Sequence, residues 1–169
     1  PDIYQGAPTP ITALLATASK TAAVAALIRV LFMAFAIVKI YWLPVLILLS
    51  TLSMIGGNLM ALRQTNVKRL LAYSSIAQAG YMLIGIIAAD AAGIKGVLFY
   101  TLIYIIANIG AFSVLIAVDK NYGEAEFSTI AGLGQRAPLL AAVLTISLLS
   151  MAGIPPMAGF VGKLYLFTA

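Results

Sequence analysis

The feature that most restricts this chain is the length of its uncharged apolar stretches. Four of them contain no acidic or basic side chain, and they cover 40–62, 70–89, 96–118 and 138–162. A helix needs about 20 apolar residues to cross the roughly 30 Å hydrocarbon core of a bilayer. Only 9% of the residues are charged, whereas soluble domains have about 25%. The chain is therefore predicted to be an integral membrane protein.

The spanning segments are predicted to be helices. In lipid the backbone must satisfy its own hydrogen bonds, which only helices and closed barrels can do. No stretch alternates with a period of two over about ten residues, as barrel strands do. We therefore expect an all-α fold, a polytopic transmembrane helix bundle that forms one domain over 1–169. The helices are expected at about 10–38, 40–62, 66–89, 94–118 and 138–169, with the last one broken over 153–162.

Basic residues in the loops predict the orientation. The loops after the second and fourth spans contain Arg63, Lys68, Arg69, Lys120 and Arg136, whereas those after the first and third contain only Lys39 and Lys95. Because lysine and arginine are retained on the cytoplasmic side, the loop 65–70 is predicted to be cytoplasmic. The polar connector 119–136 is expected to be exposed. We also expect this chain to be an internal piece of a longer protein.

Two basic residues lie inside the first span. With the helix starting near Pro10, Lys20 lies about 15 Å along it, where a charge costs about 2.5–3.5 kcal/mol. Its small polar neighbours, "ATASKTAA", are typical of a packed or hydrated helix interface. A functional interior lysine is predicted, and an ion pair or a lysine that snorkels to the membrane edge is the alternative. Arg29 can hold a carboxylate but is a poor proton carrier, so a structural role is favoured for it.

The stretch "AGIPPMAGFVGK" predicts a broken helix. Its helix-disrupting residues are Gly153, Pro155, Pro156, Gly159 and Gly162. The prolines remove backbone donors, and the glycines permit unusual backbone angles. Such breaks survive at membrane depth only when they are buried in protein or line a water-filled cavity, and transporters build ion sites from them. We predict a discontinuous helix with Lys163 at an internal polar site. The alternative is a span that ends at Met157 with Lys163 at the interface.

Other polar residues within or beside the spans are candidates for a proton path. They are Lys68, Ser74, Ser75, Gln78, Tyr104 and Asn108. Packing between helices is the alternative for each side chain, and for Lys68 the alternative is a simple orientation signal. The chain has no cysteine and no histidine, so we expect no metal site and no cofactor site in it. The net charge of +5 is attributed to the loops, and no nucleic-acid partner is expected.

Three long stretches together resemble a known family. They are "PDIYQGAPTPITALLATASK", "NLMALRQTNVKRLLAYSSIAQAGYMLIG" and "LLSMAGIPPMAGFVGKLYLF". They are similar to the antiporter-like proton-translocating subunits of respiratory complex I, in particular the subunit N family. The resemblance covers nearly the whole chain in the same order. It implies the second of two inverted five-helix repeats, helices eight to twelve of about fourteen.

The resemblance also implies roles for individual residues. Lys20 falls on the family's mid-membrane lysine of helix eight, and Lys163 on the lysine of the broken helix twelve. Both belong to the polar axis through which protons are thought to move. Many relatives have histidine at the position of Gln78, so a histidine relay is not expected here and water would have to bridge that position.

The implied function is proton translocation in a complex I-type NADH or ferredoxin:quinone oxidoreductase. The subunit would be non-redox, with no catalytic activity from this chain alone. Flavin, iron–sulfur clusters and quinone are expected on other subunits. The expected partners are other membrane-arm subunits, the lipid bilayer, protons and water. The bacterial plasma membrane is the expected location, with the thylakoid and mitochondrial inner membranes as alternatives. A Mrp-type cation/proton antiporter, a membrane-bound hydrogenase subunit and a purely structural scaffold are the competing functions.

Overall fold

The computed structural model describes residues 1–168, and these residues form a helical bundle. Four helical stretches are long and apolar enough to cross a membrane, and they are Thr9–Ala34, Ala36–Ala61, Val67–Ala88 and Ala91–Tyr122. Two shorter apolar helices follow, Pro138–Ala152 and Ala158–Phe167. The predicted all-α polytopic fold class is confirmed. The last position of the fifth predicted helix, 169, lies outside the described residues.

The first span departs from a regular helix. It contains two π-helical segments, Leu15–Ser19 and Val30–Ala34, and Lys20 directly follows the first of them. Such widened turns often occur at functional sites. The chain leaves helical geometry at Phe35, whose φ and ψ are −112° and 17°. The predicted helix 10–38 is therefore too long at its end, because the sequence remains apolar through this bend.

The second span follows the bend closely. A single 3₁₀ turn, Ala36–Val38, leads into the α-helix Lys39–Ala61. The indole nitrogen Nε1 of Trp42 donates a hydrogen bond of 2.9 Å to the carbonyl of Phe35. The same carbonyl also accepts a bond of 3.2 Å from the Val38 amide in the 3₁₀ turn. The bond from Trp42 thereby ties the start of the second span to the end of the first.

The third span packs tightly against the second and the fourth. A Cβ added at Gly57 would lie 2.7 Å from the backbone nitrogen of Ala77, and one added at Gly85 would lie 2.7 Å from the carbonyl oxygen of Gly93. Small residues at these positions let helix backbones approach closely, as is usual inside membranes. The fourth span, Ala91–Tyr122, is longer at both ends than the predicted 94–118. Its first turn is capped by Asp90.

The last span is interrupted between its two halves. The first half-helix, Pro138–Ala152, ends at Gly153 with a φ of +80°. The second half-helix, Ala158–Phe167, starts after a short turn that contains Pro155 and Pro156. Gly159 and Gly162, which the sequence placed in the break, instead lie inside the second half-helix. They serve close packing rather than chain reversal, and a Cβ on Gly159 would lie only 1.7 Å from the carbonyl oxygen of Ser150.

The loops after the second and fourth spans meet at one end of the bundle. The amide of Val67 donates to the carbonyl of Ala125 at 3.0 Å, and that of Phe127 donates to Thr65 at 3.2 Å. These bonds accompany an isolated antiparallel bridge between Asn66 and Glu126. The two most basic loops are therefore neighbours at one end of the bundle, and the side of the membrane on which they lie stays a prediction.

Candidate functional site

Lys20 points from the first span toward the third and fourth. Its Nζ donates a hydrogen bond to the backbone carbonyl of Ser75 and lies 5.5 Å from the centre of the Tyr104 ring. Tyr104 is only 3% exposed, and its hydroxyl has no hydrogen-bond partner among the described residues. Buried polar groups of this kind are commonly satisfied by water. The surroundings of Lys20 therefore combine a carbonyl, an aromatic face and a free hydroxyl.

Lys163 reaches back across the helix break. Its Nζ donates to the carbonyls of Met151 at 3.1 Å and Ala152 at 2.9 Å, and it lies 4.4 Å from the centre of the Tyr81 ring. These carbonyls end the first half-helix, where backbone acceptors lack intrahelical partners and the helix dipole is negative. A Cβ on Gly153 would lie 2.8 Å from Cδ of Lys163. Glycine at this position thus permits both the left-handed turn and the passage of the lysine.

Gln78 binds the same helix end from the third span. Its Nε2 donates to the Met151 carbonyl at 2.9 Å, so Gln78 and Lys163 share one acceptor. The Oε1 atom of Gln78 accepts a hydrogen bond from the Tyr100 hydroxyl. Sequence reasoning missed Tyr100, although its spacing of four from Tyr104 places both tyrosines on one helix face. That spacing was the available signal.

The two lysines are linked through one face of the third span. Lys20 contacts this span at Ser75, and Gln78 lies three residues further along it, so both positions face the same way. Lys163 meets Gln78 at the shared Met151 carbonyl. The hydroxyl of Ser75 donates to the Ala72 carbonyl at 2.8 Å. Lys20 therefore binds the third span directly at Ser75, whereas Lys163 is connected to it through the Met151 carbonyl that Gln78 also binds one turn further along.

A cleft of about 670 Å³ borders the Lys163 side of this arrangement. Its polar lining residues are Asn58, Gln64, Ser74, Gln78, Tyr81 and Lys163. Non-helical backbone at membrane depth is tolerated beside a water-filled cavity, and the cleft adjoins the broken helix at Met151 and Ala152. It is large enough to hold several waters, since each occupies about 30 Å³.

Lys68 belongs to a separate cluster at the loop end of the bundle. Its Nζ lies 3.6 Å from Oδ2 of Asp119 and 3.5 Å from the Thr9 hydroxyl. Thr9 donates to the same carboxylate oxygen, and the amide of Ala125 donates to Oδ1 at 2.9 Å. The expectation that the connector 119–136 is exposed is therefore wrong at its start. Asp119 lies within the fourth span, Ala91–Tyr122, and its carboxylate is bound by Thr9, Lys68 and the Ala125 amide.

The remaining candidates lie at different distances from the lysines. Asn108 is 1% exposed and donates to the carbonyl of Tyr104 at 2.8 Å, so it lies one turn from the Lys20 surroundings. Arg29 is exposed at the end of the helical segment Lys20–Arg29. Neither of the two ion pairs within residues 1–168 involves Arg29. The structure does not bring Arg29 to the other candidates.

The whole sequence matches a known protein family. The family described as "NADH:quinone oxidoreductase/Mrp antiporter, TM" matches residues 1–169. The chain belongs to this family. Within it, the chain is 56% identical over 170 residues to NADH-quinone oxidoreductase subunit N of Heliobacterium modesticaldum, covering 100% of this chain and 36% of that protein. It is 50% identical to NAD(P)H-quinone oxidoreductase subunit 2 of Rippkaea orientalis, covering 100% of this chain and 33% of the relative.

Chains in two solved membrane-associated complexes have a similar fold. Respiratory complex I from Thermus thermophilus matches with a TM-score of 0.82 and 41% identity, covering 99% of this chain and 36% of that chain. The archaeal membrane-bound sulfane sulfur reductase matches with a TM-score of 0.86 and 31% identity, over 99% of this chain and 34% of the other. The chain thus spans about a third of the length of its curated relatives. The resemblance seen in the sequence is confirmed at the level of the family.

Proposed function

We propose that this chain moves protons within a membrane subunit of a complex I-type NADH or ferredoxin:quinone oxidoreductase. Lys20 and Lys163 exchange protons through ordered water along the face of the third span that contains Ser75 and Gln78. One observation carries this proposal: Lys20 binds the Ser75 carbonyl of that span, and Lys163 binds the Met151 carbonyl to which Gln78, one turn further along the same span, also donates. The subunit N relatives support the assignment to such a complex.

The bonding of the two lysines suits proton exchange. Neither ion pair found within residues 1–168 involves Lys20 or Lys163. A lysine paired with a carboxylate is held in its charged form, whereas backbone carbonyls accept from both the ammonium and the neutral amine. Gln78 is uncharged in either case and cannot itself take up the proton, so water in the adjoining cleft completes the path. Charges in neighbouring subunits would shift the protonation of each lysine.

The redox chemistry is assigned to other subunits in this proposal. Flavin, iron–sulfur clusters and quinone would be held there, and this chain would act without a cofactor of its own. Its partners would be other membrane-arm subunits, lipid, water and protons, with the bacterial plasma membrane as the location. The bacterial relatives and the two membrane complexes with similar structures support this placement.

A second candidate function is ion exchange in a Mrp-type antiporter or a hydrogenase-like membrane complex. It is favoured by the family's own description, which includes Mrp antiporters, and by the TM-score of 0.86 with the sulfane sulfur reductase. The lysines and the broken helix would serve the same proton step there. Proton movement that depends on sodium and continues without quinone would favour this second function.

The test of the proposed function is Lys20→Met in the complete subunit, assembled in its complex and sealed in vesicles. Methionine keeps the length of the side chain but cannot carry a proton, so we expect proton uptake to fall about tenfold or more. Proton uptake and electron transfer are recorded together, per assembled complex. Lys95→Met, which changes an exposed lysine, is the matched control and should leave both rates unchanged. If Lys20→Met instead moves protons and electrons at the parent rates, Lys20 is structural and the proposed mechanism is wrong.

A further inference from the structure

We propose that Tyr100 is a positioning residue for Lys163. Its hydroxyl holds the Gln78 amide so that the NH₂ group, and not the carbonyl oxygen, faces the helix break. Gln78 and Lys163 then share the Met151 carbonyl as two donors. This inference rests on the proposed function, because it concerns how one of the two proton-carrying lysines is held.

The hydrogen-bonding partners determine which way the Gln78 amide points. The group contributed by Met151 is a backbone carbonyl, which can only accept, so it must face the Nε2 of Gln78. The Oε1 atom then faces Tyr100, whose hydroxyl donates to it. Gln78 is 4% exposed and Tyr100 is 2% exposed, so bulk water does not compete for these atoms. Removing the hydroxyl would leave Oε1 buried without a donor, which is costly.

Gly162 allows the Tyr100 ring to reach this position. A Cβ at Gly162 would lie 2.7 Å from Cδ2 of Tyr100, so the ring packs directly against the backbone next to Lys163. The third span, the fourth span and both half-helices therefore meet around one carbonyl. The chain of hydrogen bonds runs from the Tyr100 hydroxyl in the fourth span, through the Gln78 amide in the third, to the Met151 carbonyl of the first half-helix.

The orientation of the amide decides what Lys163 binds. In the structure, Gln78 and Lys163 both donate to the Met151 carbonyl, and Nζ of Lys163 also donates to the Ala152 carbonyl. A reversed amide would present Oε1 as a further acceptor for the ammonium. The lysine would then be drawn from the helix end toward the third span. The Met151 carbonyl disfavours this reversal, and the Tyr100 hydroxyl, by donating to Oε1, stabilises the orientation that keeps Nζ at the break beside the cleft.

The experiment is a double-mutant cycle in the assembled complex. Tyr100→Phe, Gln78→Leu and the double variant are compared for proton uptake per assembled complex in sealed vesicles. We expect each single change to lower uptake about threefold, since each removes the same buried hydrogen-bond chain. Proton uptake by the double variant should be no lower than that of the more impaired single variant, because the second change removes nothing further from the hydrogen-bond chain. Tyr41→Phe, at a position 77% exposed, is the matched control.

The outcomes separate this inference from the proposed function. The positioning role is overturned if Tyr100→Phe takes up protons at the parent rate or fails to assemble. It is also overturned if the loss of proton uptake in the double variant equals the product of the two single losses. Lys163→Met is measured in the same vesicles. If Lys163→Met lowers uptake and Tyr100→Phe does not, only the positioning role fails. If Lys163→Met matches the parent, the proposed function itself fails.

Discussion

Gly159→Ala is expected to prevent most of the subunit from folding into its complex. The added Cβ would lie 1.7 Å from the carbonyl oxygen of Ser150, which is backbone and cannot rotate away. The two half-helices would have to separate, and the bond of 3.2 Å from the Gly159 amide to the Ser150 hydroxyl would break. We expect a cost of more than about 4 kcal/mol, because overpacking against backbone exceeds the usual range for one methyl group.

The measurement is the amount of assembled complex on native gels, together with thermal unfolding of the detergent-purified subunit. Gly134→Ala is the matched control, since it adds the same methyl group in a helix where nothing lies within 4 Å. It should assemble like the parent. If Gly159→Ala gave as much assembled complex as the parent, the half-helices would not be in contact at Ser150. The packing described for the broken span would then be wrong.

Asp119→Asn is expected to destabilise the loop end of the bundle by about 3 kcal/mol. Asparagine keeps the shape of the carboxylate but removes its charge and one of the two oxygens that accept hydrogen bonds from Thr9 and Ala125. Lys68, only 8% exposed, would be left without the partner that lies 3.6 Å away. Removing one member of a buried ion pair is strongly destabilising because the other charge remains uncompensated. The expected readout is a lower unfolding temperature of the purified subunit.

The double variant Asp119→Asn/Lys68→Gln distinguishes charge burial from loss of shape. It should recover the part of the lost stability that comes from the unpaired charge, because no such charge remains. Glu124→Gln, an exposed acid in the same connector, is the matched control and should unfold like the parent. Equal destabilisation in the double variant would mean that the charge of Lys68 is not what Asp119 compensates.

The class of fold and the position of the helix break could be predicted from the sequence. Uncharged runs long enough to span a bilayer leave few alternatives to helices, because the backbone must bond to itself in lipid. Gly153 and the two prolines disrupt a helix in any context, since their effect is on their own backbone. Lys20 was identified as a candidate for a similar reason, because a charge in an apolar run is costly wherever the run packs.

Only the tertiary structure decided which side chains meet. Gln78 and Met151 are 73 positions apart, and Thr9 and Asp119 are 110 apart, so no local pattern indicates either contact. Tyr100 reaches Gln78 because the fourth span packs against both half-helices. Glycine is needed at position 162 because the Tyr100 ring occupies the space that a Cβ there would fill. Hydropathy and backbone preference are properties of a short segment. Hydrogen-bond partners depend on how closely whole helices approach, and that is decided when the bundle packs.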